Sequence, residues 1–127
     1  MESLNMDNVF DYAVPIWQRF LKPAHAGQLS GPDVVTAGAG SPAAKSLLRM
    51  QLRLLDGRVT EARFRAYGCP TAIAVGEWLA GNAQGKSLVA LKGISVADIR
   101  AALEIPDDRA HCAFMGEDLI RKLLAQA

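Results

Sequence analysis

The sequence predicts one α+β domain over residues 1–127, on three observations. One stretch alternates apolar and polar residues with a period of two, two later stretches repeat apolar residues with helical spacing, and the chain has the size of an ordinary domain. Leu48, Met50, Leu52 and Leu54 alternate with Arg49, Gln51 and Arg53. Asp56-Gly57 then gives a hairpin signal. Val59, Ala62, Phe64 and Ala66, mixed with Thr60, Arg63 and Arg65, form the returning strand.

The remaining elements follow in order. Val9, Tyr12, Ala13, Ile16, Trp17 and Phe20 are spaced for a helix over Asn5 to Phe20, and Pro15 inside it should kink or split it. Lys22 to Gly40 is rich in Gly, Pro, Ala and Ser. It reads as loop, with Val34-Val35 the one β-like pair. Pro70 suits a first helical position, and Ala72, Ile73, Val75, Trp78 and Leu79 continue a helix ending near Gly81-Asn82. Ser95 is placed to cap a short helix through Leu103, with Asp98 in its first turn. Pro106-Asp107-Asp108 opens the last helix, along which Phe114, Met115, Leu119, Leu123 and Leu124 recur.

Composition excludes several classes. The 14 basic against 13 acidic residues leave a net charge of +1, without the basic excess typical of nucleic-acid or membrane binders. The first residues carry acids rather than a basic leader, and no run reaches the roughly 20 apolar residues of a membrane span. A soluble, cytoplasmic protein is the expectation, in which two cysteines read as thiols or metal ligands rather than a disulfide. No Ser/His/Asp arrangement stands out. GNAQGKSL at Gly81–Leu88 is one residue short of a phosphate-binding loop and follows a helix, so it reads as a helix stop. His25, in a loop between Pro23 and Gly27, is expected on the surface.

The cysteines carry the chemistry. Cys69 and Cys112 both fall at predicted helix N-termini, where free amides and the helix dipole favour a thiolate. His111 adjoins Cys112, so the two could turn toward one centre. With Cys69 they would supply three N/S donors suited to zinc or an iron–sulfur cluster. Spacing alone favours the plainer alternative, since a lone cysteine in an apolar stretch is usually a small buried apolar side chain.

The run DGRVTEARFRAYGCPTAIA resembles the second-cysteine segment of the U-type (IscU/NifU-like) iron–sulfur cluster scaffolds, and AHCAFMGEDLIRKLL resembles their His-Cys segment and terminal helix. RFLKPAHAG and GKSL fall in the expected order, so the likeness spans nearly the whole chain. It implies a three-stranded antiparallel sheet with helices on one face and the ligand loops gathered at one end. It also implies a non-enzymatic scaffold that holds a transient [2Fe–2S] cluster or iron at Cys69, His111 and Cys112. A cysteine desulfurase would deliver persulfide sulfur to Cys112, and apo iron–sulfur proteins would receive the product.

The departures are specific. Ala44 stands where the family has its first cysteine and Ser46 where it has an aspartate. A fourth ligand would then come from Asp33, a partner or glutathione, and a homodimer sharing a cluster stays open. Ile105-Pro106-Asp107-Asp108-Arg109 replaces a Leu-Pro-Pro-Val-Lys run, so handover to the specialised Hsp70 chaperone is not implied. Two other readings remain: a degenerate homologue relaying sulfur without a cluster, and a zinc-binding regulatory protein using the same three residues.

Overall fold

The computed structural model describes residues 8–42 and 45–126. Strand β1 (Val34–Ser41), β2 (Ser46–Leu55) and β3 (Arg58–Tyr67) form an antiparallel sheet in that order. Helices α1 (Val14–Leu21), α2 (Pro70–Ala83), α3 (Val96–Leu103) and α4 (Ala110–Gln126) complete it. The helices cover one face of the sheet, with α4 over β1 and α2 over β3. Ala37, Ala39, Leu48, Met50, Leu52, Ala62 and Phe64 point from the strands into the core beneath them.

The expected hairpin forms as read. Asp56 (φ 52°) and Gly57 (φ 76°) both adopt the left-handed conformation of a tight hairpin turn. A register shift at Arg53/Leu54 is the one irregularity in the β2–β3 ladder.

Two expectations need correction. The segment read as loop with a Val34-Val35 edge is an eight-residue strand, each residue registered with β2 from Val34↔Arg53 to Ser41↔Ser46. Its Ala and Gly residues have low intrinsic strand preference, but pairing and burial override it. Small side chains also let α4 lie close, and Lys122 Nζ donates to the Gly38 carbonyl at 3.2 Å. Pro15 does not kink a long N-terminal helix. It sits in the first turn of α1, where a missing N–H costs nothing. Asn5 to Asp7, within the expected helix, lie outside the described residues.

The chain between Gly85 and Leu88 is consumed structurally. Gly85 N–H donates to Val59 O at 2.7 Å, Leu88 N–H to Gly57 O at 2.8 Å, and Lys86 O accepts from Val59 at 2.8 Å. Those amides are tied to the hairpin, so no phosphate cradle exists there.

His25 is more than a surface residue. Glu77, buried on α2, accepts its backbone N–H at 2.7 Å through one carboxyl oxygen and meets ring Nδ1 at 2.7 Å through the other. This clamp fixes the segment that runs beside β3, where Gly27 N–H reaches Phe64 O and Phe64 N–H reaches His25 O, both at 3.0 Å. Glu77→Ala leaves two polar groups without their partner. Chemical denaturation is expected to show a loss of about 2 kcal/mol.

Candidate functional site

Cys69 is built at the junction of β3 and α2. β3 ends at Tyr67, Gly68 turns with φ +135°, and Cys69 becomes the N-cap of α2 with Pro70 following. Gly68 is required by space as well as by φ, since a Cβ there would lie 2.8 Å from Ser46 Oγ. The first residue of β2 is thereby held against the cysteine loop. Ser46, the position of the family aspartate, therefore sits at this end of the sheet.

Cys112 is the third residue of α4 and is wholly buried, on the stripe formed with Met115, Gly116, Leu119 and Leu123. The two thiols lie within reach of each other's charge, and a proton kept on Cys112 favours a thiolate at Cys69. That influence is the largest one holding the Cys69 thiol down to about 4, aided by the amides of Ala72 and Thr71. The Thr71 hydroxyl is buried and has no hydrogen-bond partner among the described residues. The same shared proton, with burial, pushes Cys112 up. Both thiols were expected to ionise readily; instead the pair holds one negative charge, centred on half-buried Cys69.

His111 does not join them. Successive residues of an α-helix point about 100° apart, so adjacency in sequence separates His111 from Cys112 on α4. Among the described residues, no group of three or more His, Cys, Asp or Glu side chains is placed to hold a metal ion. Asp33 is no candidate for a fourth ligand. It stands at the opposite end of β1, roughly 26 Å along the strand at about 3.3 Å per residue. There it is paired with Arg53 at 2.6 Å. Ala44 lies outside the described residues.

Two residues near the pair were not singled out from the sequence as members of one site with it. Tyr12 precedes α1, its backbone N–H bound by Asn8 Oδ1 at 2.9 Å. Burial first, and then the charge of Cys69, raise its phenol, so the hydroxyl stays protonated beside the sulfurs. Arg109 lies over the Tyr12 ring at 5.9 Å, within cation–π range. Its charge favours a thiolate at Cys112, against the larger opposing effects. Nothing in local spacing marks Tyr12, because only tertiary packing brings it to the cysteines.

A thiolate at about 4 is already almost fully ionised near neutrality. Alkylation of Cys69 by iodoacetamide is therefore expected to keep a nearly constant rate from about pH 6 to 8. An ordinary thiol would accelerate about tenfold per unit over that range. Cys112 should react far more slowly. Peptide mapping after timed quenching measures both.

Fold and site together define a class: an α+β domain carrying an interacting dithiol where the sheet meets its helices. A family described as the NifU-like N terminal domain matches residues 11–126. The iron-sulfur cluster assembly scaffold protein IscU of Escherichia coli is 32% identical over 121 residues, covering 90% of this chain and 91% of the relative. Among solved structures, a putative iron-sulfur cluster assembly scaffold protein for the SUF system from Fervidobacterium islandicum has a TM-score of 0.75 at 10% identity. The match covers 92% of this chain and 98% of that one. The N-terminal part of a nitrogen-fixing NifU-like protein from Brucella abortus gives a TM-score of 0.70 at 19% identity, covering 96% and 99%. The chain belongs to the NifU-like N terminal domain family.

Proposed function

We propose that this protein is an iron–sulfur cluster assembly scaffold, whose cargo is iron and sulfide held in transit rather than a resident cofactor. Family membership supports the general role. The contact between Cys69 and Cys112 carries the particular reading, because two convergent sulfurs are the start of a cluster-holding site. His111 is the third donor in this proposal. Loading would require its ring to turn toward the sulfurs, and the first turn of α4 is where that movement would occur. The partner that brings sulfur is a cysteine desulfurase, and apo iron–sulfur proteins take the product.

Exposure orders the sulfur steps. Cys69 is half-buried at a loop, whereas Cys112 lies behind it. Cys69 Sγ attacks the terminal sulfur of the desulfurase persulfide, a new S–S bond forms, and the desulfurase cysteine leaves as a thiolate. Cys112 then attacks that terminal sulfur. The Cys69 S–S bond breaks, Cys69 departs as a thiolate, the transferred sulfur keeps its own proton, and the Cys112 proton is released to solvent. Cys112 thus remains the persulfide acceptor, reached through Cys69. A thiol of low proton affinity is the better leaving group, which favours this direction.

Without a cysteine at Ala44 or a carboxylate at Ser46, the protein's own donors are few, which favours ready release over tight retention. Anaerobic reconstitution with ferrous iron, cysteine and a cysteine desulfurase tests the proposal.

A further inference from the structure

The face of α2 turned toward α4 begins with a threonine. Gly116 of α4 packs on Val75 and Leu79, whose side chains would lie 2.8 and 3.1 Å from a Cβ there. Thr71 stands one turn before Val75, and Cys112 one turn before Gly116, so Thr71 is on the stripe of α2 that faces the Cys112 turn. Helical side chains lean toward the N-terminus of their own helix, which for Thr71 is the Cys69 end. The Thr71 side chain is therefore directed into the ground between the two cysteines.

Folding does not use this hydroxyl. Thr71 is wholly buried, and its Oγ1 has no hydrogen-bond partner among the described residues. Deeper in a helix a threonine hydroxyl can donate to the carbonyl four residues earlier. Here that residue is Tyr67, the last of β3, so the local outlet is missing. The rest of the first turn is closed: Pro70 has no N–H, and the Ala72 and Ile73 amides donate to Cys69 O at 3.0 and 3.4 Å. A buried hydroxyl without a partner opposes folding, and valine would fill the same space without that penalty. Position 71 thus keeps a donor and an acceptor for a group that arrives beside Cys69.

We propose that the Thr71 hydroxyl is a positioning group for sulfur carried by Cys69, holding the terminal atom of the Cys69 persulfide on the side of Cys112. The inference rests on the sulfur-carrying role proposed above. A hydroxyl both donates and accepts, so it accepts from the persulfide S–H and donates to the same sulfur once it is bare. It forms no covalent bond and surrenders no proton, so the exchange between the two cysteines balances without it. Held in this way, the terminal sulfur does not swing out to solvent, and Cys112 meets it from the buried side.

The test uses the full chain carrying Cys112→Ser, so that sulfur stays on Cys69, and it needs neither desulfurase nor iron. Cys69 is loaded with sodium tetrasulfide and desalted, and its persulfide is then discharged by glutathione and followed by timed mass spectrometry. Adding Thr71→Val is expected to speed discharge about fivefold, the scale of one hydrogen bond, while the urea midpoint holds or rises. Thr71→Ser, which keeps the hydroxyl, should discharge within about twofold of the threonine protein. If Thr71→Val fails to fold by circular dichroism, Thr71→Ala is compared with Thr71→Ser by the same criterion. The proposal is overturned if removing the hydroxyl leaves discharge unchanged, if Thr71→Ser is as fast as Thr71→Val, or if Cys69 of the threonine protein takes up no sulfur. Failure of the scaffold role is read separately, from iron and sulfide in the reconstitution, and leaves the hydroxyl effect measurable.

Discussion

Cys69→Ser is expected to stop sulfur from accumulating on Cys112, slowing persulfide formation there at least tenfold in the presence of a cysteine desulfurase. A serine hydroxyl is not ionised near neutrality and cannot form the S–S bond by which sulfur enters. Cys112, wholly buried behind position 69, then has no open approach. The reciprocal variant should behave differently: in Cys112→Ser, persulfide forms on Cys69 and stays there. Tandem mass spectrometry of samples quenched at intervals separates the two outcomes. Cys112 loading at the parental rate in Cys69→Ser would mean that sulfur is delivered directly and that no relay operates.

Gly76→Val is expected to cost about 3 kcal/mol of stability, read as a lowered midpoint in urea or guanidinium unfolding. Gly76 lies where α2 presses on the sheet. A Cβ there would meet the Phe64 ring, with Cε2 at 2.8 Å, and Leu48 Cδ1 at 2.9 Å. Phe64 and Leu48 are both core residues and have little room to yield. The effect should reach the site, because α2 carries Cys69 at its N-cap. Lifting α2 from the sheet moves that sulfur away from Cys112 on α4, so the variant should also lose the pH-independent alkylation of Cys69. Gly116 makes the matching close approach on α4, where a Cβ would lie 2.8 Å from Val75 Cγ1 and 3.1 Å from Leu79 Cδ1. Gly76 thus lets α2 lie close to the sheet, and Gly116 lets α4 lie close to α2.

Much of this was legible in the residues. The β2–β3 hairpin announces itself through strict alternation and Asp56-Gly57, since one face is buried and the turn demands left-handed residues. Ser95 caps α3 with the reciprocal Asp98 contact expected of a capping box. β1 was not legible, because Ala37 and Ala39 are small residues buried in the core and Gly38 and Gly40 carry little strand preference. Cys69 and Cys112 could be named as a pair, and their positions near helix starts could be read. Which sulfur holds the charge could not, because that depends on a proton shared across tertiary structure. The adjacency of His111 and Cys112 does not by itself bring both to one centre, because neighbours on a helix do not face one way. Tyr12 and the Glu77 clamp on His25 likewise depend on contacts distant in sequence.

The central claim is that iron and sulfide are assembled at this dithiol, and anaerobic reconstitution tests it most directly. The protein is incubated with ferrous iron, cysteine, a thiol reductant and a cysteine desulfurase, then desalted and examined by visible absorption with iron and sulfide counting. The account predicts sulfide-to-iron charge-transfer bands with matched iron and sulfide, absent in Cys69→Ser and in Cys112→Ser. A protein that shows no such bands and acquires only stoichiometric zinc, or bands that survive both substitutions, would contradict it.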